Sequence, residues 1–252
     1  MPPTHHRPSL VAVAHGSRDP RALSTVLALL ERVRELRPGL DVRLGHIELN
    51  EPLLTETLTG LNGAPAVLVP LLLSRGYHVK HDLPQAAAAA PGGEHIRIAR
   101  PLGPHPLLVE ALCSRLAEAG WHEEDGTSRS AGVVLASAGS RDPESAEDTR
   151  RMAQLLGERL GGVPVVAAYA SALAPTVPDA VRALTSRGRH RIAVASYFAA
   201  PGLFATRSAA AAPWIAADPL GTHPALARLL LHRYEEARTR PYAVRRHELS
   251  AA

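Results

Sequence analysis

"VAVAHGSRDP", residues 11–20, is answered far along the chain by "VLASAGSRDP", residues 134–143. Both run from an apolar stretch into Gly-Ser-Arg-Asp-Pro, but His15 of the first is Ala138 in the second. "LVAVA" (10–14) is a short apolar run closed by a turn, the pattern of a buried strand. Asp19-Pro20 then opens a helix, with Asp as N-cap and Pro at the first helical position. Leu23, Val26, Leu27, Leu30 and Val33 recur at helical spacing, and Pro38-Gly39 ends the run.

Working outward, the alternation continues. Residues 41–47 read as a second strand, Pro52 starts the next helix, and Asn62-Gly63 turns the chain. "AVLVPLLL" (66–73) is a third strand, followed by the loop "SRGYHVKHDLP" and a helix through the alanine run 86–90. "EHIRIAR" (94–100) is a fourth strand, and "PLGPHP" leads into a helix at 106–119. Strands alternating with helices predict a parallel sheet covered on both faces, with right-handed crossovers.

The second half repeats the plan. Ala138 matches His15 and Pro175 matches Pro52 at one shift of 123 positions. "RIAVASYF" (191–198) repeats the third strand, with Gly202 matching Gly76 at a shift of 126, and "PLGTHP" (219–224) repeats "PLGPHP" (101–106). Chance does not produce such landmarks in order; duplication does. The expected fold is α/β, with two homologous lobes, each a four-stranded parallel sheet with flanking helices. Residues 1–122 form the first lobe and 132–240 the second; "WHEEDGTSRSA" (121–131) reads as a polar linker and 241–252 as a loose tail.

Composition narrows the function. The chain has 252 residues, 46% hydrophobic and 21% charged, so it folds around sizeable cores. A single cysteine, Cys113, excludes an intrachain disulfide, and neither a secretory signal nor a membrane span is visible; cytoplasm is the expected location. Net charge is +4, carried almost wholly by arginine, but aromatics are only 4%, which argues against nucleic acid and leaves an anionic small substrate.

In open parallel sheets, ligands bind beyond the carboxyl ends of the strands. His15 follows the first strand, Glu48 the second, His78 the third and His105 the fourth. Two imidazoles and a carboxylate on one sheet edge make a metal-handling set. In the second half, His15 becomes Ala138, Glu48 becomes Ser171 and His78 becomes Phe204, while the structural punctuation survives. A lone histidine after a strand is more often a loop hydrogen-bonder, but the joint loss of all three outweighs that reading. His105 keeps a twin in His223, each before a helix-starting Pro, and reads as a cap. Glu51 rivals Glu48 but sits beside Pro52, where a first-turn acid is expected. His81 rivals His78 but lies further from the Gly76 turn, and His5-His6 reads as a bland terminus. Arg18 has a twin in Arg141. Arg75 and Lys80 have no basic twins, Pro201 and Thr206 standing at the matched places; the plain alternative is solvated loop charge.

"AHGSRDP" followed by "GYHVKHDLP", with a Glu after the second strand, resembles the class II chelatases that insert a divalent metal into sirohydrochlorin. The resemblance covers nearly the whole chain, as the long form with two fused halves. It implies a cleft between two lobes in which His15 and His78 bind metal and Glu48 serves as base or ligand. Ser17, Arg18, Arg75, Gly76, Tyr77 and Lys80 are expected to meet the substrate. It also implies that iron, cobalt or nickel is a substrate rather than a permanent cofactor, and that one monomer suffices. One departure is Ser74-Arg75, where the family often has a small residue and Pro. A non-catalytic tetrapyrrole or metal carrier is the alternative. A histidine phosphatase wants an Arg before its His, and here that residue is Ala14.

Overall fold

The computed structural model describes residues 7–240. His5-His6 and the tail 241–252 lie outside the described residues. The first half runs β1 (Ser9–Ala14), α1 (Pro20–Leu36), β2 (Val42–His46), α2 (Leu54–Thr59), β3 (Ala66–Pro70), α3 (Leu83–Ala89), β4 (Ile96–Ile98) and α4 (Pro106–Glu118). A short helix α5 (Glu123–Thr127) joins the halves. The second half runs β5 (Ala131–Ser137), α6 (Pro143–Arg159), β6 (Val165–Tyr169), α7 (Val177–Thr185), β7 (Arg191–Ser196), α8 (Leu203–Ala210), β8 (Ile215–Ala216) and α9 (Pro224–Thr239).

Each half forms one four-stranded parallel sheet, in the orders β2-β1-β3-β4 and β6-β5-β7-β8. The central strands β1, β3 and β5 are buried along their whole length, as their apolar runs require when helices cover both faces. Asp19 caps α1 and Asp142 caps α6, each carboxylate accepting the N–H two residues on, with Pro at the first helical position.

The lobes exchange their last helices. The first-half helix α4 packs on β7 of the second sheet, and α9 packs on β3 and β4 of the first. The two helices also pack on each other, between α1 and α6, so a single apolar core runs through both lobes. Two arginines tie the exchange reciprocally. Arg115 of α4 donates to the Leu220 carbonyl at 3.1 Å, and Arg233 of α9 donates to the Leu102 carbonyl at 2.9 Å. Leu102 and Leu220 are the matched leucines of the two Pro-Leu-Gly loops. In space, therefore, the division near residues 122–132 does not separate two self-contained bodies.

The polar linker itself is well tied down: Asp125 of α5 is buried, accepts the His122 N–H at 2.9 Å and pairs with Arg191 at 3.0 Å. Two local expectations are corrected. Pro52 does not start α2. Its carbonyl accepts the His46 N–H, which keeps the chain extended through Leu53, and Glu56 is the first-turn acid, accepting the Leu53 N–H at 2.8 Å. The reason given against Glu51 thus fails, although its side chain is exposed. Finally, the loop before α3 is already helical from His78 to Asp82, in one wide turn whose carbonyls bond five residues ahead.

Candidate functional site

The carboxyl ends of β1, β2 and β3 bring the three ligand candidates to one edge. Gly16 makes the approach possible. Its φ is +103°, and a Cβ there would lie 1.8 Å from the Glu48 carbonyl oxygen. The Glu48 N–H in turn donates to the His15 carbonyl at 3.0 Å. Leu49, at φ 69°, closes a tight turn in which the Asn50 N–H donates back to the Glu48 carbonyl at 2.8 Å. Asn50 Oδ1 then accepts the Ser17 N–H at 2.7 Å, which braces the His-Gly-Ser loop against the Glu48 loop.

The side chains converge. The His15 and His78 rings meet edge to face with centroids 4.8 Å apart. His15 Nδ1 lies 3.6 Å from Glu48 Oε1, too long for a direct hydrogen bond. His78 Nδ1 is 2.5 Å from Asp82 Oδ2. The wide turn puts Asp82 beside His78, and because a carboxylate oxygen only accepts, Nδ1 is the donor of this pair, which leaves Nε2 outside it. Among the described residues, no three His, Cys, Asp or Glu groups gather into a closed ligand set. Tyr77 is exposed and stacks on His81, with ring centroids 4.7 Å apart.

Two predicted substrate contacts have other partners. Arg75 grips Asp148 of α6, at 2.7 Å from Nη2, and Glu144 at 2.7 Å from Nη1. Lys80 binds Asp142 at 2.6 Å and also Glu144. Hydrogen bonds donated to these carboxylates hold both basic groups above their usual pKa ranges, and Lys80 holds Asp142 below its own. Neither solvated loop charge nor a free anion contact describes them. Arg18 and Arg141 are exposed and form no ion pair among the described residues. His105 and His223 are caps: their Nδ1 atoms accept from Leu107 and Ala225 at the starts of α4 and α9. Burial first, then Arg233, His232 and Arg100, push the His105 pKa down to about 4, so it is the neutral acceptor that a cap requires.

The second lobe repeats the backbone without the chemistry. Ser171 donates its N–H to the Ala138 carbonyl at 3.0 Å, and Gly139 is wedged against the Ser171 carbonyl, as Gly16 is against that of Glu48. Leu203 and Phe204 stand where the first lobe has Tyr77 and His78. With Leu49 and Leu53 they add to the exposed apolar surface of these loops, otherwise rare on the molecule. Sequence reasoning missed Asn50 and Asp82. The signals were there: their twins are Leu173 and Ser208, and Asp82 follows His78 by one helical repeat.

Fold and edge together define a duplicated, chelatase-like α/β protein. The CbiX family model matches residues 9–119 and again 132–237. The chain belongs to the CbiX family. A sirohydrochlorin ferrochelatase of Priestia megaterium is 26% identical over 243 residues, covering 89% of this chain and 88% of that protein. A sirohydrochlorin cobaltochelatase of the same organism is 26% identical over 213 residues, covering 81% and 68%. Among solved structures, SirB from Bacillus subtilis with Fe3+ has a TM-score of 0.72 at 24% identity, covering 93% of this chain and 96% of that one. That likeness establishes the fold, with two four-stranded parallel sheets and flanking helices. No helix among the described residues is long and apolar enough to cross a membrane.

Proposed function

We propose that this chain inserts a divalent metal into sirohydrochlorin, toward sirohaem or cobalamin. The carrying observation is the asymmetric edge: two facing imidazoles with Glu48 beside one of them, opposite a twin that has Ala138, Ser171 and Phe204. Its relatives include a sirohydrochlorin ferrochelatase and a sirohydrochlorin cobaltochelatase, which supports the same reading.

The reaction exchanges two pyrrole protons for one metal ion, which arrives as a substrate: iron, cobalt or nickel. Neutral His15 and His78 hold the ion by nitrogen lone pairs and leave positions for the macrocycle nitrogens. Asp82 fixes the His78 tautomer that makes this possible. Glu48, half exposed, accepts a pyrrole proton and passes it to solvent. Leu49, Tyr77, Leu203 and Phe204 offer apolar surface to a flat ring. Arg18 and Arg141, at matched places in the two lobes, attract its carboxylates. One chain supplies both lobes, so a monomer suffices, working in the cytoplasm without a permanent cofactor.

The test mixes protein, Co2+ or Fe2+ and sirohydrochlorin anaerobically and follows the visible spectrum. His15→Ala and His78→Ala are each expected to lower insertion by about 10²-fold or more, with unchanged circular dichroism. Near-wild-type turnover of either variant contradicts the reading. Tight binding of both substrates without turnover by the wild-type chain favours a carrier instead.

A further inference from the structure

The lobes meet through two matched contacts that differ in chemistry. In one, the Cβ position of Gly76 lies 3.6 Å from Ser140 Oγ; in the other, that of Gly202 lies 3.6 Å from Ser17 Oγ. Around Gly202 the positions matched to those around Gly76 form no ion pair across the lobes among the described residues. Asp19 pairs with Arg21 in the first turn of the helix it caps, and Thr25 donates to the Arg21 carbonyl of the same helix.

Around Gly76 the segment is tied down residue by residue. The Tyr197 hydroxyl donates to the Leu73 carbonyl at 2.8 Å. Ser74 Oγ meets Ser145 Oγ at 2.9 Å. The Arg75 backbone N–H donates to Asp148 Oδ2 at 2.8 Å, and its guanidinium grips the same carboxylate through Nε and Nη2. Lys80 closes the series on Asp142 and Glu144. In the mirror contact, Ser74, Arg75 and Lys80 are replaced by Ala200, Pro201 and Thr206, while Glu144, Ser145 and Asp148 are replaced by Arg21, Ala22 and Thr25. Both partners are altered together in the Ser74–Ser145 and Arg75–Asp148 ties, while of the partners of Lys80 only Asp142 keeps an acidic twin, Asp19.

His78 lies between Arg75 and Lys80, so the tied contact is the one that carries a candidate ligand. Asp148 is only 4% exposed, and a two-pronged guanidinium–carboxylate pair fixes orientation as well as distance. Its anchor, α6, is a helix of 17 residues packed into the shared core. We propose that Asp148, with Asp142 and Glu144, is a positioning group for His78: the second lobe, without ligands of its own, clamps the loop that presents one. This rests on the reading of His78 as a metal ligand.

The experiment titrates the full-length chain with Co2+ alone and reads its visible absorption. Asp148→Asn keeps the shape but removes the charge, and Lys80→Met loosens the other end of the clamp. Each is expected to weaken Co2+ binding 10- to 100-fold, the usual cost of removing a group that orients a metal ligand. In a His78→Ala background, Asp148→Asn is expected to cause no further loss, because the clamp acts through that ring. Thr25→Val, on the mirror contact, is the control for damage to the lobe interface and is expected to bind Co2+ as wild type does. Wild-type affinity in both clamp variants overturns the proposal. So does an equal loss from Asp148→Asn with and without His78, which marks general damage. Insertion into sirohydrochlorin is measured separately, so absent turnover counts against the proposed reaction and not against the clamp.

Discussion

Gly16→Ala strikes the point where the His15 and Glu48 loops touch. An added Cβ would lie 1.8 Å from the Glu48 carbonyl oxygen. Carbon and oxygen rest at about 3.3 Å, so that carbonyl must retreat by roughly 1.5 Å, carrying Glu48 away from His15. The backbone at φ +103° adds its own strain, about 1–3 kcal/mol for a residue with a side chain. The twin position supplies the control. Gly139 has φ +87°, and its Cβ would meet the Ser171 carbonyl oxygen at 2.1 Å. Gly139→Ala is therefore expected to destabilise the fold about as much as Gly16→Ala, each by roughly 2–4 kcal/mol in urea unfolding. Activity is expected to separate them. Misplacing a reacting group by about 1 Å costs on the order of 10²-fold, so Gly16→Ala loses that in Co2+ insertion while Gly139→Ala loses little. Both are assayed anaerobically by the visible spectrum at a temperature where each is folded. Equal activity losses, or normal activity in Gly16→Ala, would refute the assignment of the first edge as the working one.

Glu48→Gln is expected to slow insertion by about 10²–10⁴-fold, while Co2+ affinity changes much less; a proportional collapse of affinity would make Glu48 chiefly a ligand. His105 has a folded pKa near 4, below its unfolded value of about 6.5, so its contribution is full above pH 6.5 and is lost as pH falls toward 4. After allowance for its partial exposure, that is about 1–2 kcal/mol. Urea midpoints at pH 7 and pH 5 should lie closer together in His105→Asn, which keeps a cap acceptor without titrating there; an unchanged gap would exclude His105 as the source. Residues 1–122 alone lack α9, which covers the first sheet, and are expected to self-associate by exchanging α4. Sedimentation of a fully active monomer would contradict that.

The duplication was legible because its markers are backbone requirements. Gly16 and Gly139 need positive φ, and Asp19-Pro20 and Asp142-Pro143 are helix starts written in short-range chemistry. The candidate edge was legible for the opposite reason: His15, Glu48 and His78 are not needed by the backbone, and their twins lack them. What escaped depends on the packing of distant segments. Helix exchange leaves no local trace, since α4 and α9 read as ordinary amphipathic helices whichever sheet they cover. Arg75 and Lys80 were read as facing substrate because their partners lie some 60 to 70 residues away on α6. Pro52 was read as a helix start because its carbonyl's engagement with the strand ladder is invisible in the one-dimensional pattern.

The exchanged helices also loosen the link between chain order and shape. The Tyr234 hydroxyl near the end of α9 donates to the Pro8 carbonyl at the entry to β1, at 2.6 Å. At the other junction, α4 leads through α5 into β5, so each terminal helix hands over beside the strand that begins the opposite half. The polypeptide is thus close to a ring opened at one of two equivalent seams. A circular permutant joined between α9 and β1 and opened near residues 128–130 keeps every described sheet pairing. It should assemble the same molecule with its halves in reverse order.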